Sequence, residues 1–401
     1  MYRQTYSMIE GTLEHPNLNR WWGFGQFKTK EKENALKQFK QEIKDFATEE
    51  QLKDDTYCKR WLIARDFDVP KAVTMFRNSM EFRKKMKVDE LVSNYKEPEV
   101  ITKYMPGGEV GHDKEGSSIR VVPWGDLDMK GLMLSCKKLD FVKSKIVQFE
   151  RTLKDINKMT EKLKRDVVGQ TIIFDMENVG LKTLWKPGLD FNIYLSRILE
   201  DNYPEMMKRL FLINAPKLLP VLYTMAQPLI SESMKQKIFV LGNDYQTTLL
   251  QYIDGEELPA YLGGKKTDPD GNPKCTSLIC YGGTVPESNY LENTDAYENM
   301  ITIELNSGEK KYIEFQIESP ESILQWEYKT DKHDIGFSVF KKENDEELKE
   351  IVTNERMDCF NLTIDGIITV NEPGTYFLCF DNSYSMLTSK VVHYRYDVLS
   401  S

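Results

Sequence analysis

Histidine is scarce in this sequence: His15, His112, His333 and His393 are all that 401 residues contain. None stands in a Ser/His/Asp or Cys/His signature, which removes the usual nucleophilic patterns. No P-loop is present, and no GxGxxG opens a helix, so a glycine-rich phosphate cradle has no support. The six cysteines, Cys58, Cys136, Cys275, Cys280, Cys359 and Cys379, show no close paired spacings. Cys275 and Cys280 have no second ligand pair to complete a zinc site. The N-terminus, MYRQTYSMIEGTLEHPN, lacks the apolar core of a secretory signal. Reduced thiols in a cytoplasmic protein are therefore expected. Asn361-Leu362-Thr363 matches a glycosylation pattern and, without secretion, reads as loop or strand sequence. Excess positive charge is missing too. With 54 basic and 63 acidic residues the net charge is −9, which argues against a nucleic-acid partner, whose phosphates need neutralising. Acid pairs such as Glu256/Glu257 read as solvated. The expectation is a protein that is not an enzyme and that needs neither metal nor cofactor.

What is present is a globular composition, 40% hydrophobic and 29% charged, in a chain long enough for two or three domains. One long apolar run stands out, LFLINAPKLLPVLYTMAQPLI at 210–230, with Lys217 its only formal charge. Its length matches the roughly 20 residues that cross a bilayer. Pro216, Pro220 and Pro228, with Asn214, Lys217 and Gln227, argue against a free-standing span. The pattern predicts a buried strand to Asn214, a turn, and a helix with Pro216 and Pro220 at or near its first turn. Leu218, Val221, Leu222, Met225 and Leu229 share one face of that helix, which Leu219, Ala226 and Ile230 widen. Such a helix either packs on a sheet core or walls a lipid cavity as its lid.

Residues 1–33 have little periodicity and are expected to be a disordered extension, although Trp21, Trp22, Phe24 and Phe27 suit a membrane interface. Leu36, Phe39, Ile43 and Phe46 recur at helical spacing. After RWLIARDFD, Asp68 and Pro70 signal a helix start, and Val73, Phe76 and Met80 form its stripe. A helical lobe over 34–92 follows. IRVVP (119–123), TIIFD (171–175), LFLIN (210–214) and KIFVLG (237–242) read as strands. Between them, Leu139, Val142, Ile146, Phe149, Leu153 and Ile156 mark a long helix, and Leu189, Ile193 and Leu199 another. Strands alternating with helices predict a largely parallel sheet over 93–266. YLGGKKTDPDGNPK (261–274) reads as linker by composition, and the linker is placed at 267–299. Beyond it the period is two: Ile313, Phe315 and Ile317, then Val392, Tyr394, Tyr396 and Val398, predict an all-β sandwich over 300–399. KKENDEELKE (341–350) is expected to be a solvated loop within it.

RWLIARDFD, NYPEMMKRLFLINAPKLLPVLYTMAQPLI, KIFVLG and LPAYLGG together resemble the CRAL-TRIO lipid-binding domain of the yeast phosphatidylinositol-transfer protein family. TLWKPG, DPDGNPKC and PGTYFLCFDNSYS are similar to the animal supernatant protein factor, or tocopherol-associated protein, group, which carries a C-terminal GOLD domain. The resemblance spans roughly residues 34–400. It implies an α/β CRAL-TRIO fold with an N-terminal helical lobe, followed by a GOLD sandwich. It implies a mobile gate over residues 216–232, and a pocket that includes Ile172 and Phe174. By position Arg65, Glu205 and Lys237 match residues that hold an inositol headgroup in the yeast-type family. Two departures weigh against a choline or inositol lipid: Asp66 reverses a basic position, and Gln170 and Ile172 replace the Ser and Thr that serve choline. A tocopherol, squalene or another isoprenoid is then favoured, with a phospholipid such as phosphatidylinositol as the other choice. The implied activity is binding and intermembrane transfer of such a lipid by a cytoplasmic monomer in transient membrane contact. The alternative is a lipid-sensing adaptor that acts in membrane trafficking through a protein partner of the GOLD domain.

Overall fold

The computed structural model describes residues 30–180, 186–216, 219, 232–291, 300–320, 322–344, 347–360 and 363–399. The chain divides into two compact units, residues up to 130 with 143–285, and residues 131–142 with 286 onward.

The first unit opens with α1 (Lys30–Ile43), α2 (Glu49–Lys53), α3 (Asp55–Ile63), α4 (Val69–Met86), α5 (Val88–Asn94) and α6 (Glu99–Tyr104). Local chemistry sets where several of them start. Thr48 and Gln51 form a reciprocal capping box on α2, satisfying donors that a first turn leaves open. Asp54 accepts from the Tyr57 amide ahead of α3, and Asp68 from the Lys71 amide ahead of α4, where Pro70 sits in the first turn. The apolar stripes meet in one core of Phe39, Ile43, Trp61, Leu62, Val73 and Phe76. Phe76 meets Trp61 edge-on at 5.0 Å and Phe39 at 5.9 Å. A polar contact ties these helices to the rest of the unit: Arg83 pairs with Glu150, which also accepts from the Tyr203 hydroxyl at 2.8 Å.

The rest of the unit is α/β. The chain here runs β1 (Gly108–His112), β2 (Ser118–Pro123), α7 (Met129–Ser135), α8 (Lys138–Leu163), β3 (Gln170–Asp175), α9 (Lys186–Asn202), β4 (Met207–Ile213), α10 (Glu232–Lys235), β5 (Ile238–Val240) and α11 (Tyr245–Tyr252), of which most of α7 and the start of α8, residues 131–142, belong to the second unit. Spatial order follows chain order, β1 to β5. β1 pairs antiparallel with β2, and β2 to β5 run parallel. Parallel neighbours need long crossovers, which the helical segments supply. The apolar run therefore begins as the end of β4, inside the sheet. Among the described residues no helix is long and apolar enough to cross a membrane. Leu218, Val221, Leu222, Met225 and Leu229 lie outside the described residues.

The stretch read as linker by composition is folded as far as Val285. Cys275 and Ile279, 0% and 1% exposed, belong to the same core cluster as Val121, Ile173 and Phe211. The buried Asp268 carboxylate organises the turn by accepting from Ser277 and Thr276. Gly, Pro and Asp there build a tight packed turn, and composition alone does not separate such a turn from an open linker.

Beyond its helical 131–142 segment the second unit is β: β6 (Ile301–Leu305), β7 (Lys310–Ile317), β8 (Ser322–Thr330), β9 (Asp334–Lys342), β10 (Leu348–Asp358), β11 (Ile364–Val370), β12 (Gly374–Asp381) and β13 (Lys390–Leu399). One antiparallel sheet has the order β10-β9-β12-β7, the other β11-β8-β13-β6. Their inner faces interlock through aromatics. Tyr328 of β8 stacks on Phe337 of β9 at 4.6 Å, and Phe315 of β7 meets Tyr396 of β13 at 4.9 Å. The alternation of Phe315 and Ile317 with Glu314 and Gln316 is the cause, since period two buries one face of a strand. The solvated loop expected at 341–350 is shorter than read. Lys341 pairs with Lys349 and Lys342 with Leu348, so most of that stretch is the end of the β9–β10 hairpin. Charged residues are at home on an exposed strand end, where they carry no loop signal of their own.

Candidate functional site

The two faces of the α/β sheet are unequal. Ile119, Val121, Ile173, Phe211 and Ile213 are at most 0% exposed and pack with Leu249, Ile253, Leu258 and Leu262. On β2 to β4 the alternate residues Arg120, Val122, Ile172, Phe174, Leu210 and Leu212 are half-buried, as are Ile238 and Val240 of β5, while Ser118 and Gln170 at the start of their strands are buried. Register lines them up in two rows, Arg120–Ile172–Leu210–Ile238 and Val122–Phe174–Leu212–Val240. A parallel sheet closed by helices on both faces buries both sets. Here one face keeps accessible surface in the middle of the sheet, which is what an apolar ligand needs. Ile172 and Phe174 sit on this face. At its edge Trp124 lies 5.8 Å from Phe174. Leu219, 6% exposed, packs there with Met176 and Val179 against Leu212, Ala215 and Val240.

The three headgroup candidates divide. Glu205 and Lys237 meet, Lys237 Nζ lying 2.7 Å from Glu205 Oε2, with both side chains largely shielded. Each precedes a strand of the same parallel pair, β4 and β5, which brings them to one end of the sheet. Arg65 goes elsewhere. It donates to the Ala64 carbonyl at 2.9 Å and lies 3.9 Å from Asp201, at a more exposed place. After it the chain turns through Asp66 and Phe67, both at positive φ, and Asp66 is exposed. The Gln170 side chain is engaged, donating to Glu109 and Ser118 at 3.1 Å each.

Sequence reasoning missed Arg60. It is 3% exposed, its Nη1 is directed at the Met206 sulfur, and its Nε has no hydrogen-bond partner. Burial lowers its pKa, while the charges of Asp54 and Glu205 oppose that. A buried cation thus faces the Glu205 corner. The available signal was an arginine one position before the apolar WLI of α3. Near the same end of β4 lies a second polar core. Lys208 Nζ is 2.7 Å from Asp113, side chains 1% and 0% exposed, and Thr171 donates to the same carboxylate at 2.8 Å.

The groups weighed for catalysis are dispersed. His112 pairs with Asp155 at 2.9 Å, and His393 lies between Asp331 and Thr302 on β13. All six cysteines are unpaired, and burial pushes the Cys58, Cys136 and Cys359 thiols up to about 12, far from a thiolate at neutral pH. Among the described residues no group of three or more His, Cys, Asp or Glu is placed to hold a metal ion. Glu256 and Glu257 pair with Lys265 and Lys266 at 2.9 Å each.

Residues 102–264 match the CRAL/TRIO domain family. Protein real-time of Aedes aegypti is 28% identical over 328 residues, 78% of this chain and 49% of that protein. Protein real-time of Drosophila pseudoobscura pseudoobscura is 32% identical over 248 residues, 61% of this chain and 36% of that protein. The chain thus spans half or less of the length of these two relatives. Among solved structures, Sfh5 aligns with 66% of this chain and 96% of its own at 18% identity, with a TM-score of 0.46.

Proposed function

We propose, from the premise that residues 102–264 are a CRAL/TRIO domain, that this chain binds one hydrophobic lipid on the half-buried face of its α/β sheet and carries it between membranes. One observation supports this most: Val122, Ile172, Phe174, Leu210 and Leu212 stay half-buried while their neighbours on β2 to β4 are sealed, and Ile238 and Val240 of β5 continue the two rows. Exposing a 16-carbon chain to water costs on the order of 10 kcal/mol at ~0.8 per methylene, so the aqueous interval is the barrier to transfer. A gate over 216–232 that opens against a membrane lowers that barrier. Candidate cargoes are a tocopherol, squalene or other isoprenoid, or a phospholipid such as phosphatidylinositol. The engaged Gln170 amide leaves little for a choline headgroup. Glu205 and Lys237 are the groups for an inositol hydroxyl and phosphate, with Arg65 set apart.

Native mass spectrometry of the purified chain, with identification of any retained lipid, tests binding. Intervesicle transfer of a fluorescent lipid tests carriage. Leu222→Asp tests the gate: lost retention with near-normal melting supports it, and collapse of ligand-free stability with normal transfer by the folded remainder refutes it.

A second reading, a lipid-sensing adaptor acting through a GOLD-type sandwich, draws on Met386 and Leu387. They are 89% and 95% exposed in the turn between β12 and β13, a place suited to a protein partner. A protein that retains lipid but transfers none would favour it.

A further inference from the structure

The row Arg120–Ile172–Leu210–Ile238 is apolar except at its β2 end. Arg120 is held there by shape. Its guanidinium lies over Gly107, where an added Cβ would come within 2.9 Å of Nη2. Gly107 has φ +124, so both its backbone and the guanidinium above it disfavour any side chain. Lys145 stands on the same face of α8 as Thr152, seven residues on, which donates to Glu109, the cross-strand partner of Arg120; the Lys145 Nζ donates to Gln148 Oε1 at 3.0 Å.

The nearby carboxylates are turned away. Glu109 is the cross-strand partner of Arg120. Its Oε1 nevertheless accepts from Thr152 at 3.3 Å and Gln170 at 3.1 Å. Glu97 accepts from Ser144 at 2.5 Å and Thr102 at 3.0 Å. Among the described residues neither acid forms an ion pair with Arg120 or Lys145. Both cations keep accessible surface, yet burial dominates their electrostatics. Arg120 reaches that setting from the half-buried row of the sheet, and Lys145 from the helix beside it. Burial and the Arg120 charge push Lys145 down to about 7, against the opposing pull of Glu97.

We propose that Arg120 and Lys145 form an oxyanion site at the β2 end of the ligand face, which takes the carboxylate or phosphate of an anionic lipid whose tail lies along the apolar rows. This rests on the lipid-carrier reading and names its cargo class. The site is separate from the Glu205–Lys237 pair. β2 and β5 are three strand spacings apart, roughly 14 Å at ~4.8 Å each. A guanidinium fork and an ammonium together suit an oxyanion, and a low-dielectric setting strengthens both bonds. An anion there restores the Lys145 proton, so binding takes up protons and weakens as pH rises above about 7. Arg120 keeps its charge over that range, and Glu97 and Glu109 are the carboxylates that face it.

The test uses the full chain at pH 7 and two matched pairs of probes: palmitate with hexadecanol, and dipalmitoyl phosphatidic acid with dipalmitoylglycerol. The expected result is a preference of about tenfold or more for the anionic member of at least one pair. Preference within the first pair assigns a carboxylate, within the second a phosphate. R120Q and K145Q should each erase that preference while hexadecanol still binds. Should either variant fold poorly, the preference of the unaltered chain and its decline from pH 7 to 9 decide the matter. Equal affinity within both pairs, or preference surviving both substitutions, overturns the oxyanion site alone. Failure of the unaltered chain to bind all four probes overturns the carrier reading and this inference together.

Discussion

Lys237 Nζ and Glu205 Oε2 lie 2.7 Å apart where two parallel strands begin, both mostly shielded from water. Removing one partner leaves the other charge buried, which costs more than the pair contributes. Lys237→Met alone should destabilise the ligand-free protein by about 1–3 kcal/mol in urea unfolding. The double change with Glu205→Gln should cost less than the sum of the singles. If the pair serves an inositol phosphate, Lys237→Met also lowers phosphatidylinositol transfer and leaves an uncharged isoprenoid unaffected. Equal losses for both ligands would make the pair structural.

Ile173 and Phe174 are neighbours on β3 with opposite surroundings. Ile173 is sealed in the core and Phe174 is half-buried on the ligand face. Ile173→Asp should cost more than about 4 kcal/mol, because the carboxylate has no partner there. Phe174→Asp should cost far less stability and abolish lipid retention. Thermal melting paired with retention of a fluorescent lipid separates the two. Similar melting losses would mean that both faces of the strand are core.

That contrast also shows how far the sequence could be read. TIIFD is legible as a strand because β-branched and aromatic residues cluster in it, and Ile172 and Phe174 then share a face by period two. Which face is sealed is not legible, since both are apolar. Arg120 and Lys145 carry no local pattern at all, and Arg60 only its place before the apolar WLI of α3. Each is one cation among 54 basic residues until the fold removes water from around it. The turn at 268–277 was hidden for the converse reason, because its polar residues bond to each other and only Cys275 reaches the core.

Glu115 gives a pH signature. The Lys208 and Arg209 charges and hydrogen bonds outweigh its burial and hold its carboxyl down at about 2. A depressed acid adds stability above its unfolded pKa of roughly 4.3, and that stability is lost as pH falls towards the folded value. Stability should therefore drop between about pH 4 and 2, and Glu115→Gln should flatten that part of the profile. Because the Glu115 side chain is 42% exposed, solvent screening limits the size of the effect. An unchanged acid limb in Glu115→Gln would show that other carboxylates set it.

Where the α/β unit ends is the last point that can be measured directly. Composition places a linker after Lys266, but Cys275, Ile279 and Val285 are at most 1% exposed. Cys280 and Gly107 exchange backbone hydrogen bonds at 2.8 and 3.3 Å, which ties this segment to the residue just before β1. A fragment ending at residue 266 loses all of this, and losing Ile279 packing alone is worth about 2–5 kcal/mol. It also frees Gly107, the platform beneath the Arg120 guanidinium. A fragment of 30–285 should melt cooperatively and retain lipid, whereas 30–266 should be destabilised by more than about 4 kcal/mol or fail to fold. Equal melting of the two fragments would mean that residues 267–285 are dispensable, and the unit would then end at the compositional break.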